Sequence, residues 1–377
     1  MKNRTQRFIA SAAALLLLLL GCLSGCADKK PEANELGIQH ELEFGGVYVL
    51  VTIDDFNALG FTYGDSLNVS FSNGYTLEGL PYYNGYYTQT GEPLVVAYPG
   101  YPYVKVCINN GDDLFEVAGL SESDRATITL KEKAAFFSIQ NARDIHYKDD
   151  RSLFDSDEMF ANFRAVSAGQ IKANTLYRSA SPCDNQHNRA PYVDTLMGQA
   201  GVKLIIDLAD NDEKIAGYMQ KEDFNSPYFK TLYEQNSVVP LALNTNYGSE
   251  AFQKKLLKGL EAMAASSGPY LVHCTEGKDR TGFVCMLLEA LCGATYQEIV
   301  DDYMITYQNY YRITKESDPD RYDVIVHEVL EPMIKLVVGK DVDLKTADYA
   351  ALTAAYLTNA GMTAQQVEAL RAGLTTK

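Results

Sequence analysis

Residues 269–291 read PYLVHCTEGKDRTGFVCMLLEAL, and they carry the clearest fold signal in the sequence. Residues 269–273 form a short apolar run typical of a buried strand. Residues 281–291 form a longer apolar run, which predicts a buried helix that stops at Gly293. The polar residues between the two runs are therefore expected to form a short loop that joins the end of a strand to the start of a helix.

This loop carries reactive side chains, because Cys274 begins it and Arg280 follows six positions later. Successive backbone N–H groups in such a loop bind an anion, and the N-terminus of the helix adds a positive field. The same field stabilises a thiolate, so Cys274 is a candidate nucleophile. Arg280 can hold two phosphate oxygens at once, and Thr281 is placed to donate a hydrogen bond to the sulfur. The pattern indicates phosphoryl transfer through a phosphocysteine intermediate.

The segment is similar to a known signature. Cys-x5-Arg, with His before the Cys and Thr-Gly after the Arg, resembles the loop of the protein tyrosine phosphatase superfamily. The run Gly-Lys-Asp-Arg-Thr-Gly is similar to that of the bacterial tyrosine and lipid phosphatases, which share features with dual-specificity and phosphoinositide phosphatases. Upstream, residues 162–164, 176–179 and 207–208 are similar to three further segments of that family. The resemblance implies a Cys-dependent phosphatase without a cofactor.

The resemblance also implies which residues contact the substrate. The loop residues after the nucleophile are expected to surround the phosphate group: Thr275, Glu276, Gly277 and Lys278. Arg178, in the second upstream segment, is expected to reach the phosphate or the rest of the substrate, with a structural ion pair as the alternative. Asp207, at the end of a predicted strand, is expected to orient Arg280 or the loop, with a cap at the strand end as the alternative.

Cleavage of a phosphate ester also needs a proton for the leaving oxygen, and the donor must lie within hydrogen-bond reach of that oxygen. Many phosphatases of this superfamily place an Asp on a separate loop upstream of the nucleophile. Here no Asp occurs between Asp223 and Asp279. Asp279 is therefore predicted to be the general acid, with the alternative that it only pairs with Lys278 or caps the helix. Residues 207–212 contain the next candidates.

Few residues bear on the substrate class. Lys278 adds a second cation beside Arg280, which suits a multiply phosphorylated or phospholipid substrate, whereas Glu276 places negative charge at the mouth of the site. The expected substrates are phosphotyrosine or other phosphoprotein groups, phosphoinositides, or both. Bacterial inositol-hexakisphosphate phosphatases share Cys-x5-Arg but usually carry Gly before the Arg, so this alternative ranks lower. A second alternative is a surface-binding lipoprotein whose phosphatase domain is catalytically vestigial.

The predicted fold of residues 150–377 is an α/β phosphatase-type domain, with a central, largely parallel sheet flanked by helices and a helical C-terminal tail. Apolar runs and capping patterns place further elements in chain order: strands at 202–208 and 238–243, and helices at 249–265, 295–303, 322–338 and on both sides of Gly361. The alternation of strands and helices favours a parallel sheet.

Residues 42–135 are predicted to form a small all-β domain, either a barrel or a sandwich. Short alternating runs are broken by turn residues, and Asn73-Gly74 lies between two such runs at 67–71 and 75–77. Asn-Gly in this setting is a strong hairpin signal. The Tyr residues between positions 75 and 103 are expected to pack on this domain, or to form a face for a partner that the sequence does not identify.

The first 26 residues have the pattern of a secretory signal, with a basic start, an apolar run over 8–20 and a small-residue cleavage site. Residues 23–26, Leu-Ser-Gly-Cys, resemble the bacterial lipobox, in which the Cys is lipidated. The resemblance implies a lipid anchor on Cys26 that holds the protein at the extracytoplasmic face of a bacterial cell membrane. Residues 27–41 are predicted to be a tether. An ordinary cleaved signal is the alternative.

Composition excludes some classes of function. The formal net charge of −16 argues against a nucleic-acid partner, because a phosphate backbone requires a basic surface. Beyond the export region, the five Cys residues show no disulfide framework. The five His and these Cys residues also lack metal-ligand spacing. We therefore expect no metal and no cofactor.

Overall fold

A computed structural model of the protein describes residues 30–376. These residues divide into two compact units, one that ends at Phe137 and one that begins at Ser138. The predicted signal sequence and Cys26 lie outside the described residues. Within residues 30–376, no helix is both long enough and apolar enough to cross a membrane.

The N-terminal unit contains a closed barrel of strands. Its strands are β1 (Glu32–His40), β2 (Val47–Val49), β3 (Ser66–Phe71), β4 (Thr76–Tyr83), β5 (Pro93–Val96), β6 (Val104–Ile108) and β7 (Arg125–Glu132). They follow the order β1-β2-β6-β5-β4-β3-β7 around the barrel, and β7 pairs with β1 to close it. Two short helices, α1 (Ile53–Ala58) and α2 (Leu114–Val117), lie in the connections. Of the two predicted alternatives, the structure has the barrel.

The alternation along β3 explains how the barrel encloses its core. Leu67, Val69 and Phe71 are buried and belong to one apolar cluster with Ile128 of β7. The predicted hairpin at Asn73-Gly74 joins β3 to β4, and Gly74 has a φ of +93°, which favours glycine. Local sequence therefore determines this part of the barrel.

Most of the predicted tether at residues 27–41 is a strand, β1, in the structure. Residues 32–40 form this strand, although their sequence, EANELGIQH, has no regular alternation of apolar residues. The pairing with β7 is interrupted by a register shift between Ala33 and Leu36. β1 forms because its backbone completes the ladders of β2 and β7, which is a tertiary effect without a local signal. The prediction of a tether is therefore wrong over this range.

The C-terminal unit is built on a five-stranded sheet. Its strands are β8 (Arg164–Ala165), β9 (Leu176–Ser179), β10 (Leu204–Asp207), β11 (Val238–Pro240) and β12 (Tyr270–His273). Their order is β11-β10-β12-β9-β8, and every pair is parallel except β8 with β9. The predicted α/β fold with a largely parallel sheet is confirmed.

Helices lie in the connections and in the C-terminal part of the unit. They are α3 (Phe137–Arg143), α4 (Asp157–Ala161), α5 (Ala190–Gln199), α6 (Asp212–Met219), α7 (Pro227–Glu234), α8 (Glu250–Ala265), α9 (Asp279–Leu291), α10 (Tyr296–Tyr311), α11 (Pro319–Ile325), α12 (Glu331–Val338), α13 (Tyr349–Ala360) and α14 (Ala364–Thr375). A π-helical turn at Val326–Leu330 joins α11 to α12. The helix predicted at 322–338 is therefore three segments, and it begins earlier because Asp318 caps its first turn.

Alternate residues of the central strands face two apolar cores. Ile206 and Val272 pack in one core with residues of α8 and α9. Ile205 and Leu271 pack in the other with residues of α5 and α7. Both faces of the sheet are thus covered by helices, which is why its strands read as continuous apolar runs.

The register of the sheet decides where the reactive loop lies. His273, the last residue of β12, pairs with Asp207 of β10 on one side and with Ser179 of β9 on the other. Parallel strands bring their carboxyl ends to the same edge of a sheet. Cys274 therefore leaves the sheet between two neighbouring strand ends and leads directly into the loop before α9.

Candidate active site

The loop between β12 and α9 turns its carbonyl groups toward the surrounding protein. The carbonyl of Thr275 accepts the Ser181 N–H at 3.0 Å, and the carbonyl of Glu276 accepts the Tyr310 hydroxyl at 2.8 Å. The N–H and C=O of one peptide unit point in opposite directions. The N–H groups that follow these carbonyls are therefore directed to the other side of the loop, and none of them has a partner in the described part of the chain. This arrangement is an anion-binding nest.

Gly277 allows the loop to approach the neighbouring strand. Its φ is +71°, in the left-handed region that favours glycine. A Cβ at this position would collide with the backbone carbonyl of Ser179. The predicted loop glycine is therefore required by both the local turn and the close contact with the end of β9.

The loop forms part of a pocket that contains the predicted nucleophile. The pocket is lined by Gln186, Thr245, Cys274, Thr275, Glu276, Asp279 and Arg280. Cys274 is 2% exposed, so the rest of the protein covers the thiol except on the pocket side. The structure thus brings five of the predicted site residues together around one cavity.

Arg280 is anchored at the edge of the pocket. Its Nη1 donates to the Leu243 carbonyl at 3.0 Å, and its Nη2 donates to the Thr275 hydroxyl at 3.3 Å. These two bonds use part of the guanidinium, which has five N–H donors, so donors remain for an oxyanion.

Thr281 does not make the hydrogen bond that the sequence predicts for it. Its hydroxyl is fully buried and has no hydrogen-bond partner among residues 30–376, so the predicted bond to the sulfur of Cys274 is not formed. The reason is that Thr281 already lies in the first turn of α9, where its side chain is enclosed by the helix packing.

Lys278 and Asp279 form an ion pair beside the pocket. Nζ of Lys278 lies 2.9 Å and 2.8 Å from the two carboxylate oxygens of Asp279, and 6.0 Å from the ring centre of Tyr307. Burial alone would raise the pKa of Asp279, but the Lys278 ammonium outweighs it and lowers that pKa. An ionised carboxylate cannot supply a proton, so the geometry favours the alternative weighed from sequence, an ion pair with Lys278, over a general acid.

Glu276 is a carboxyl group in the pocket whose pKa lies above its ordinary value. Burial raises the pKa of Glu276 to about 7, although Lys278 acts in the opposite direction. Its Oε2 accepts a hydrogen bond from the Tyr147 hydroxyl. Near neutral pH this side chain is therefore partly protonated, rather than the fixed negative charge expected from the sequence.

Arg178 supports the loop from inside the protein. It is 1% exposed and does not line the pocket. Its Nη1 lies 2.6 Å from a carboxylate oxygen of Asp302, and its Nη2 donates to the Gly277 carbonyl at 3.0 Å. The predicted substrate contact is therefore wrong, and the alternative of a structural ion pair holds because Asp302 neutralises this arginine inside the core.

The first upstream segment, Asn-Phe-Arg at residues 162–164, contacts the same loop. Nδ2 of Asn162 donates to the Gly277 carbonyl at 3.2 Å, and Nη1 of Arg164 donates to Oδ1 of Asn162 at 2.8 Å. Arg164 also pairs with Asp302, with 3.0 Å between Nε and Oδ1. The Asn-Phe-Arg segment and Arg178 therefore fix Gly277 through one shared carboxylate.

Asp207 also lies outside the pocket. Its Oδ1 accepts the backbone N–H groups of Ala209 at 2.9 Å and Asp210 at 3.1 Å. These two bonds are those of the alternative prediction, a cap at the strand end, rather than of a residue that orients Arg280. Burial raises the pKa of Asp207 and that of Asp210 to about 6 each.

Sequence reasoning missed several residues of the site. Gln186 and Thr245 line the pocket from two loops far from the nucleophile in sequence. Two residues of α10 also support the loop. Tyr310 donates a hydrogen bond to it directly, and Asp302 acts through Arg178. The helical Tyr pattern of α10 indicates a packed face, but no sequence signal indicates that this face reaches the nucleophile loop.

Comparison with known proteins identifies the family of the chain. The model of a family described as "Tyrosine phosphatase family" matches residues 135–376, which is more than half of the chain. The chain belongs to this family, so the predicted family is confirmed.

A similar protein of Cupriavidus necator, provisionally named a tyrosine-protein phosphatase, is 24% identical over 195 residues. The alignment covers 48% of this chain and 64% of that protein. Among solved structures, the core catalytic domain of the PP-IP phosphatase SIW14 of S. cerevisiae, in complex with citrate, aligns over 47% of this chain and 90% of its own, with 17% identity and a TM-score of 0.26. TpbA of P. aeruginosa, in complex with pTyr, aligns over 52% and 96%, with 17% identity and a TM-score of 0.28.

Proposed function

We propose that the protein is a Cys-dependent phosphatase that hydrolyses phosphate monoesters through a phosphocysteine intermediate. The Cys274 thiolate attacks phosphorus, the bond from phosphorus to the leaving oxygen breaks, and that oxygen takes the proton of the Glu276 carboxyl group. Water then attacks the phosphocysteine, loses a proton to the Glu276 carboxylate, and releases inorganic phosphate and the thiolate. The chemistry needs no metal, because the thiolate is the nucleophile.

The observation that carries this proposal is the orientation of the loop. Its carbonyls are held by Ser181, Tyr310 and Arg178, so its N–H groups remain directed away from the protein around Cys274. Such donors stabilise the thiolate and the phosphoryl oxygens during transfer, when negative charge is concentrated there. Arg280 adds a planar cation at the edge of the same pocket.

The substrate class that fits best is the phosphotyrosine type. Lys278 is already paired with Asp279, so it is not available as a binding site for a second phosphate. Around Glu276, the rings of Tyr147, Tyr310 and Tyr311 contact one another, with centroids 5.7 Å to 6.1 Å apart. Aromatic rings packed around the Glu276 side of the pocket, together with the Arg280 guanidinium in its lining, suit an aryl phosphate monoester better than an inositol polyphosphate.

The test is hydrolysis of a substrate panel by the full chain without added metal: phosphotyrosine peptides, phosphoinositides and inositol hexakisphosphate. We expect the highest kcat/KM on the phosphotyrosine peptides, and inhibition by vanadate, an analogue of the transferred group. A preference for inositol hexakisphosphate would overturn the assigned substrate class. A folded protein without turnover on any member would instead support the vestigial alternative.

Glu276 is the proposed proton donor, and its replacement has a specific signature. We expect Glu276→Gln to reduce kcat for phenyl phosphate by about 10²–10⁴-fold, because its phenolate is a poor leaving group that needs the proton. A nitrophenyl ester has a good leaving group, so the same variant should lose less than about tenfold on it. For phenyl phosphate, wild-type kcat should fall as pH rises through about 7, the pKa to which burial raises Glu276.

The matched control is Asp279→Asn, because Asp279 is the other carboxyl group that lines the pocket. Because Asp279 is already ionised, we expect this variant to lose a similar factor on both esters. A strong dependence on the leaving group in Asp279→Asn, with none in Glu276→Gln, would return the role of general acid to Asp279.

We also propose that Cys26 carries a lipid and holds the protein at the extracytoplasmic face of a bacterial membrane. The support is the lipobox-like sequence at residues 23–26. Acyl chains add about 0.8 kcal/mol per buried CH₂, so two or more chains anchor firmly. In the native host, Cys26→Ala should move the protein from the detergent phase to the aqueous phase, with Cys22→Ala as the control. A Cys26→Ala protein that stays in the detergent phase would contradict this anchor.

A further inference from the structure

A second group of reactive side chains lies outside the pocket. Cys183, Asp207 and Asp210 each bring one potential ligand atom within 4.8 Å of the other two. None of them lines the pocket, and all are buried. Cys183 follows the end of β9, and the two carboxylates lie at and just beyond the end of β10. We call these three residues the Cys183 cluster.

The two carboxylates of the cluster lack the partners that burial requires. Asp207 is 0% exposed and Asp210 is 3% exposed. In the part of the chain described, Oδ2 of each has no hydrogen-bond partner. The phenol of Tyr218 at 3.2 Å and the ammonium of Lys214 at 4.0 Å both face Oδ1 of Asp210, not Oδ2. An anionic oxygen buried without a cation is unfavourable, so each carboxylate has one coordination position open inside the fold.

An imidazole outside the trio gives an independent second observation. His273 is fully buried, and its Nε2 has no hydrogen-bond partner among residues 30–376. This atom lies 3.9 Å from Oδ2 of Asp207. A second buried polar atom without a hydrogen bond therefore lies next to the open oxygen of Asp207.

We propose that the Cys183 cluster binds a divalent transition-metal ion of the zinc type through the Cys183 thiolate and the two carboxylates. A thiolate selects such ions over magnesium and calcium, which prefer oxygen ligands. The three donors come from two segments at the same edge of the sheet, and none of them lines the pocket. The ion therefore has a structural role, in which it joins the segment after β9 to the end of β10 beside the nucleophile strand.

The test is a titration of the reduced, metal-free full chain with Co²⁺, which reports thiolate coordination by a sulfur-to-metal charge-transfer band and tetrahedral geometry by intense d–d bands. We expect one Co²⁺ per chain, displacement by Zn²⁺, and no displacement by Mg²⁺. Zn²⁺ should also raise the melting temperature of the C-terminal unit. A chain that gives no thiolate band would overturn the proposal and indicate that the two carboxylates share a proton instead.

Two matched Cys→Ser variants locate the ion. Cys183→Ser should abolish the charge-transfer band, whereas Cys274→Ser should keep it, because Cys274 belongs to the pocket. The opposite pattern would place the metal on the nucleophile and contradict the site. If Cys183→Ser does not fold, Asp210→Asn decides the question, since it keeps the thiolate band but should weaken Zn²⁺ binding at least tenfold. Unchanged affinity in Asp210→Asn would also overturn the site.

Discussion

We expect the Cys274→Ser variant to lose turnover by on the order of 10⁴-fold or more and to retain affinity for phosphate. A serine hydroxyl is not ionised at neutral pH and is a far weaker nucleophile than a thiolate. The groups that bind the oxyanion are unaffected, because the N–H groups of the loop are oriented by carbonyl contacts with Tyr310 and Arg178. Arg280 keeps its anchors at Leu243 and Thr275.

The measurement combines kcat on an aryl phosphate with calorimetric binding of vanadate or phosphate. Cys292→Ser is the matched control, because this buried Cys lies at the C-terminal end of α9, at the other end of the helix from the pocket. It should retain wild-type turnover. Turnover of Cys274→Ser near the wild-type value would exclude the phosphocysteine mechanism, and loss of both turnover and binding would indicate a collapsed loop.

The part of the site that sequence predicts well is local. The strand, loop and helix around Cys274 are contiguous, so their apolar pattern and turn residues determine the nucleophile, the nest and Arg280 together. The same holds for the hairpin at Asn73-Gly74. In contrast, β1 has no alternation of its own and is a strand only because it closes the barrel against β7.

The part that sequence does not predict depends on distant partners. Arg178 carries the same charge whether it binds a phosphate or Asp302, and that carboxylate lies 124 residues away. Glu276 reads as an anion until burial is known, since burial is what raises its pKa. The Cys183 cluster likewise joins two segments that show no metal-ligand spacing in sequence. Charge, protonation and ligand sets are thus properties of the packed structure.

Asp302 is the residue whose replacement should cost the most stability. Its carboxylate is the shared partner of Arg164 and Arg178, at 3.0 Å and 2.6 Å, and the side chain of Arg178 is 1% exposed. Asp302→Asn keeps the volume but removes the carboxylate that pairs with both buried guanidinium groups. Removing one partner of a buried ion pair typically costs about 3–5 kcal/mol. We expect a loss of that size, and faster hydrogen exchange in residues 275–278, because Arg178 no longer fixes the Gly277 carbonyl.

The measurement is urea unfolding followed by hydrogen-exchange mass spectrometry, which reports the barrel and the phosphatase unit separately. Asp301→Asn is the matched control: this carboxylate is exposed on the same helix and accepts a hydrogen bond from Gln297 at 2.7 Å, so its loss should change stability by less than about 0.5 kcal/mol.

Burial would raise the pKa of Asp302, but the two guanidinium groups outweigh it and lower that pKa. Its contribution is therefore present above the unfolded pKa of about 4 and is lost as pH falls through the lower folded value. The difference between Asp302→Asn and wild type should accordingly shrink in acid, and a difference that grows there would contradict the assigned ion pairs.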